Sequence, residues 1–219
     1  MMDVYAFAKR SWPFFLAVSL ALSVAVSSAV GAQGLSGCQL PEVKQEAKCG
    51  VVEIPENPRN ADGRRLKIAV AVLPATSGRV LKDPIAVLMG GPGEDSIAAA
   101  AYAGERFERL RDDRDILLVD SRGTGQSGAL ACMLFNERDP AASLRDLFPV
   151  DTVRECARQT TARADLTQYT FAQIAHDLER VRRALGYGPL NISAGSYGTR
   201  YAQMLYARFS AERAYGLSW

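Results

Sequence analysis

Apolar residues along this chain fall into two kinds of pattern, and each predicts a different element. Residues 85–89 (Ile-Ala-Val-Leu-Met) and the centre of 115–120 (Asp-Ile-Leu-Leu-Val-Asp) are near-continuous apolar runs. Such runs suit strands covered on both faces. Residues 171–185 instead place Phe171, Ile174, Ala175, Leu178, Val181 and Leu185 at helical spacing, one apolar stripe with polar residues between. Thr170 predicts an N-cap with Gln173 as its capping-box partner, and Gly186 and Gly188 predict the stop. Residues 189–193 then read as a short strand, and 197–209 as a second helix with Tyr201, Leu205 and Phe209 on one side. Residues 95–110 predict a further helix. Upstream, 50–55 and 66–73 read as strands around the turn-rich stretch 57–63, which predicts a hairpin. Residues 33–48 read as a polar lead-in and 130–166 as an irregular surface excursion. Strands alternating with helices predict an α/β fold, a mainly parallel sheet with helices on its faces and an N-terminal hairpin.

The first 32 residues stand apart from this pattern. Lys9-Arg10 precede an apolar stretch over 13–30, and Val30-Gly31-Ala32 offer small residues for cleavage. This is the layout of a secretory signal peptide, which leaves 33–219 as the folded part. Two alternatives place the chain at a membrane: an uncleaved anchor, or lipid on Cys38 through the box Leu35-Ser36-Gly37-Cys38. Composition narrows the rest. The chain has 219 residues, enough for one domain, 48% of them hydrophobic. Its net charge of +2 and the lack of any basic block exclude a nucleic-acid partner, and the mixed charges of 105–114 read as a solvated helix face. Four cysteines suit two disulfides in an oxidising compartment. Three pairings are open; closure of the shortest loops favours Cys38–Cys49 and Cys132–Cys156. No C-x-x-C spacing points to zinc, and no metal is expected.

Candidate chemistry lies in three glycine-bearing turns, each at the end of a predicted strand, where open α/β sheets bind ligands. Residues 191–199 (Asn-Ile-Ser-Ala-Gly-Ser-Tyr-Gly-Thr) run from strand to helix through Ser196, as a nucleophile elbow does. Gly198 follows the serine by two, but Ala194 stands where the strict pattern has glycine. Gly90-Gly91-Pro92-Gly93 could turn backbone N–H groups into a cavity to hold an oxyanion. The donors would be Gly91 and Tyr197, the residue after the nucleophile. The third turn, 120–128 (Asp-Ser-Arg-Gly-Thr-Gly-Gln-Ser-Gly), contains a G-x-G-x-x-G string. It leads into a cysteine-tied excursion rather than a helix, so no dinucleotide cofactor is expected, nor any other.

Together the three turns resemble those of the prolyl and tripeptidyl aminopeptidase family of α/β-hydrolases, in particular its exported bacterial members. Residues 49–57 (Cys-Gly-Val-Val-Glu-Ile-Pro-Glu-Asn) resemble its opening strand and 177–186 its helix before the nucleophile, so that the likeness spans about 38–210. The resemblance implies a serine hydrolase that releases residues from peptide N-termini, or cleaves related amides and esters. Ser196 would attack the carbonyl, Gly91 and Tyr197 would hold the oxyanion, and Arg122 would brace its own loop. It also implies an acid and a histidine after the serine, in the order Ser…Asp…His, and a lid. Residues 200–219 have room for about one helix and a short tail. The single histidine, His176, reads as solvent-facing, opposite the apolar stripe, and Asp177 is no better placed. The expectation is therefore a partial α/β-hydrolase fold without the lid and the last strands, inactive as an isolated chain. Residues 210–219 do not read as a strand, which would leave 189–193 as an open sheet edge. Such an edge admits a second reading, a non-catalytic or split-enzyme module that needs a C-terminal partner; an exported esterase is a third. The expected partner is a peptide or small amide or ester substrate, met in the periplasm or outside the cell. A membrane enters only through an uncleaved anchor or a lipidated Cys38.

Overall fold

The computed structural model describes residues 34–60, 62–132, 141, 144, 146, 148–209 and 216–218. Its strands are β1 (Ser36–Cys38), β2 (Ala47–Pro55), β3 (Arg65–Leu73), β4 (Ile85–Leu88), β5 (Ile116–Val119), β6 (Asn191–Ala194) and β7 (Gly216–Ser218). Its helices are α1 (Ala100–Arg106), α2 (Val150–Thr161), α3 (Phe171–Ala184) and α4 (Gly198–Phe209). The strands form one sheet in the order β1-β2-β3-β5-β4-β6-β7. β1, β2 and β3 pair antiparallel, and β3 meets β5 antiparallel. From β5 through β4 and β6 to β7 every pairing is parallel.

Alternation along β3 explains the two layers. Ile68, Val70 and Val72 point to one side, where they join Leu117, Ala175, Leu178, Val181, Ala202 and Leu205 in a core under α3 and α4. Ala69, Ala71 and Leu73 point to the other side and pack with Ile97, Ala100, Ala103 and Phe107 around α1. β4 and β5 are buried along their whole length, as continuous apolar runs require. α3 runs as its stripe predicts: Thr170 caps it by accepting from Gln173 N, and Ala175, Leu178 and Val181 are buried. The cap is one-sided, since the Gln173 side chain turns to Gln168 instead of back to Thr170.

Several expectations need correction. The polar lead-in contains β1, recruited to the sheet by backbone pairing with β2. The helix expected over 95–110 is broken into a 3₁₀ turn at Ile97–Ala99, the short α1, and a second 3₁₀ turn at Leu110–Asp112. Its start is drawn toward the sheet where Ile97 N donates to Asp120 Oδ1. The excursion over 130–166 contains α2, whose positions are nearly all exposed, so no apolar stripe announced it. Finally, Gly216–Ser218 forms a strand beside β6, with Ile192 opposite Leu217, so β6 is not an open edge. Backbone pairing of this kind needs no apolar run.

Both disulfides join the cysteines that loop length favours, Cys38–Cys49 and Cys132–Cys156. Two disulfides fit an oxidising compartment. The Cys38 sulfur is bonded to Cys49, which removes the thiol that lipid would need. The signal-peptide expectation for 1–32 lies outside the described residues. Among those described, no helix is long and apolar enough to cross a membrane.

Candidate active site

Parallel strands deliver their carboxyl ends to one edge, and here register does so closely. Leu88, the last residue of β4, lies opposite Ala194, the last of β6, and Gly195 N donates to Leu88 O at 3.1 Å. The chain leaving β4 therefore runs beside the chain leaving β6. Gly90 lies so near the second turn that a Cβ on it would stand 2.7 Å from Ser196 Cβ and 2.9 Å from Gly195 O. Gly198 is equally constrained, since a side chain there would strike the carbonyls of Leu88 and Met89. Gly90 and Gly198 are thus required by the close approach of the two turns.

Ser196 sits between β6 and α4 with φ 44°, left-handed backbone that a residue with a Cβ adopts only at a cost. Its side of the turn is exposed, and among the described residues Ser196 Oγ makes no hydrogen bond. The first turn of α4 closes through Gly198 N to Gly195 O and Thr199 N to Ser196 O. Tyr197 N is left out of this scheme, and so is Gly91 N in the turn after β4, where φ is 91°. Among the described residues these two amides donate no hydrogen bond. Unspent donors at a helix N-terminus are suited to negative charge. The Tyr197 ring packs at 5.3 Å from Phe171 and 5.4 Å from Tyr201, which fixes α4 against the start of α3. Burial pushes the Tyr201 hydroxyl up to about 12, with Tyr197 adding to it.

The third turn is held by side chains that the motif alone did not single out. Asp120, fully buried at the end of β5, accepts from Ile97 N at 3.0 Å and from Gln126 N at 3.0 Å. It thereby ties its own loop to the segment that follows the glycine turn. Burial pushes its carboxyl up from the ordinary value, against the pull of those amides. Arg122, 3% exposed, meets Asp177 of α3 through two bonds of 2.6 and 2.8 Å and donates to the carbonyls of Glu56 and Gln168. Arg122 thus braces its loop. Burial drives the Asp177 carboxyl up while Arg122 and Arg180 pull against it. Tyr169 lies beside this pair, its hydroxyl on Glu56 Oε1 at 3.0 Å and pushed up to about 12 by burial and that carboxylate. The only sequence signal for Asp177 was a charged residue one step from a buried helix stripe.

His176 is half-buried rather than solvent-facing, because Phe209 of α4 covers it edge-on at 5.2 Å. Phe209 ends a helix of 12 residues that begins beside Ser196, so His176 packs about 18 Å along α4 from the serine. It does not serve as the base. Among the described residues no cluster of His, Cys, Asp or Glu has the makings of a metal site.

Residues 84–214 match the family described as alpha/beta hydrolase fold. Over 173 residues the chain is 30% identical to a protein of Escherichia coli (strain K12) that bears the name hydrolase YuaR, covering 75% of this chain and 34% of that one. It is 29% identical over 178 residues to serine protease Hip1 of Mycobacterium tuberculosis (strain ATCC 25618 / H37Rv), covering 73% and 33%. It is 34% identical over 156 residues to carboxylesterase B of the same strain, covering 63% and 29%. This chain therefore spans about a third of the length of the curated relatives it matches. Among solved structures, a proline iminopeptidase of Mycobacterium smegmatis overlays with a TM-score of 0.43 at 18% identity, over 77% of this chain and 41% of that one, an overlap too loose to carry an argument.

Proposed function

We propose, from the premise that this chain belongs to the alpha/beta hydrolase fold family, that it carries the nucleophile half of an exported serine hydrolase, in kind an aminopeptidase that acts through an acyl-enzyme. The observation that carries the reading is Ser196 at φ 44°, pressed against Gly90 with its hydroxyl unspent. In the reaction Ser196 Oγ bonds to the carbonyl carbon of the substrate and the carbonyl oxygen becomes an oxyanion. Gly91 N–H and Tyr197 N–H donate to that oxygen, and the positive end of α4 adds to them. Expulsion of the amine, which leaves with a proton, gives the ester on Ser196; water then releases the acid. The likeness of all three turns to those of the aminopeptidase family supports a peptide N-terminus as substrate. A relative named carboxylesterase keeps small esters as the second substrate class.

A serine hydroxyl is weakly nucleophilic without a base, and the 219 residues hold one histidine, packed at the far end of α4. The chain by itself is therefore expected to turn over neither esters nor aminoacyl anilides. Loss of a triad member removes most of the rate. Export is part of the proposal: residues 1–32 act as the leader, and the two disulfides support delivery to the periplasm or beyond.

Reaction with a fluorophosphonate, followed by peptide mapping, tests both statements. Slow labelling confined to Ser196 and abolished in Ser196→Ala is the expected result. Labelling elsewhere, or none at all on folded protein, overturns the choice of nucleophile. Rapid stoichiometric labelling with a burst of acylation overturns the prediction of inactivity.

A further inference from the structure

A second concave feature lies at the end of α4 away from Ser196. A cleft of about 580 Å³ opens between the turn after β2 (Asn57, Pro58, Arg59), the 3₁₀ turn Leu166–Gln168 and the outer faces of α3 and α4. Arg59, Arg180 and Arg208 reach it from three different elements, with His176 and Gln173 between them, and among the described residues no carboxylate belongs to its wall. Among the described residues neither Arg59 nor Arg208 has an acidic partner. Arg180 meets only Asp177, at 3.4 Å, and that carboxylate is already held by Arg122 at 2.6 Å. Among the described residues three cations thus share one concavity with a fraction of one negative charge. Such a gathering raises the local potential and concentrates counter-ions. Beside them Gln173 Oε1 is a buried acceptor with no hydrogen-bond partner among the described residues.

We propose that this cleft binds a phosphate group, free or as the monoester of a small molecule. Guanidinium groups match phosphate oxygens bidentately, and a phosphate near −2 answers three cations better than a carboxylate does. The cleft has the size of a small-molecule site rather than of a single ion, which favours the monoester.

His176 reports on this site. Facing it are Arg180 and Glu179 of its own helix, Arg208 of α4, and Arg122 from the loop after β5, with Arg59 across the cleft. Burial first, and then the cations, hold its imidazole below the usual 6.5. A dianion seated among the same guanidinium groups cancels that field and lets the imidazole pKa rise. The sequence holds one histidine, so its ring C–H resonance needs no assignment.

The test is a proton NMR titration of the full chain with inorganic phosphate and, separately, with glycerol phosphate, at ionic strength held constant with chloride. A saturable shift of the His176 resonance with a raised imidazole pKa is expected. Tighter binding of glycerol phosphate identifies the monoester as the ligand; equal binding identifies the phosphate group alone. Arg59→Gln and Arg208→Gln, both at exposed positions, are each expected to weaken binding about tenfold, while Arg158→Gln on α2 leaves it unchanged. No saturable shift, or binding indifferent to both cleft variants, overturns the proposal. Neither outcome bears on Ser196, whose test is covalent labelling.

Discussion

The turn after β5 and the turn after β6 leave the same edge of one sheet and are held in opposite ways. In the first, Asp120 and Arg122 are buried and both side chains are spent: two amides on Asp120, a bidentate carboxylate and two carbonyls on Arg122. In the second, Ser196 is exposed, strained at φ 44°, and holds its hydroxyl free. The glycine turn after β4 stands between them. Asp120 anchors the segment that follows it, and Gly90 abuts Ser196. Backbone strain persists where the surroundings over-determine it. The buried ionic network of one turn is part of that surrounding for the other.

Removing the brace is the harshest way to break this contrast. Asp177→Ala strands a buried guanidinium, and such a loss costs about 3–5 kcal/mol. The urea midpoint should fall accordingly, with the double variant Arg122→Met/Asp177→Leu recovering much of the loss. A cost under about 1 kcal/mol for the single variant would mean the pair is not truly buried. Next in size is Gly90→Ala. Its methyl meets Ser196 Cβ at 2.7 Å and the Gly195 carbonyl at 2.9 Å, and backbone on both sides must shift. The expected cost is about 1–3 kcal/mol. Labelling at Ser196 should fall with it, whereas Asp177→Ala below its midpoint should lower labelling only through the unfolded fraction.

The two turns also differ in what the sequence revealed. The Ser196 turn was legible in part because of Gly198, which records the approach of backbone to backbone, whereas a Cβ at Gly195 would meet open space. Likewise the apolar stripe of α3 and the cap at Thr170 are local signals, three to four residues apart. The brace is not local. Arg122 and Asp177 are 55 residues apart, and nothing in the spacing of either announces the other. α2 and β7 were missed for related reasons, α2 because an exposed helix carries no stripe and β7 because its pairing is made by backbone alone. His176 was misplaced because periodicity along α3 cannot show what α4 lays over its outer face.

A gentler variant sharpens the comparison from the side of strain. Ser196→Gly keeps the turn and relieves the positive φ, which should raise stability by about 0.5–1 kcal/mol while it abolishes labelling. Ser196→Ala keeps the Cβ and should gain nothing. Ser121, in the braced turn, is not at positive φ, so Ser121→Gly should lose stability through the unfolded chain. Thermal melts of the three variants read the difference directly. A gain in Ser121→Gly equal to that in Ser196→Gly would remove strain as the distinguishing feature of the Ser196 turn.

The smallest effect separates two neighbours on α3. The charge of Asp177 is answered by Arg122, whereas His176, one residue earlier, faces mostly cations. Burial and those cations lower the His176 pKa in the fold, so the folded state binds fewer protons than the unfolded state between the lowered value and the usual 6.5. Stability from this group is then fully present above 6.5 and is lost as pH falls through the folded value. Asp120 works in the opposite sense, since its raised pKa makes stability fall as pH rises from the ordinary carboxylate range. Subtraction of the His176→Gln profile from that of the parent isolates the histidine: the difference should appear below the usual imidazole range and vanish above it. Inorganic phosphate should shrink that difference, because an anion in the cleft removes the repulsion that sets it. A profile of His176→Gln that parallels the parent at every pH would mean that the cations around this ring do not act on it.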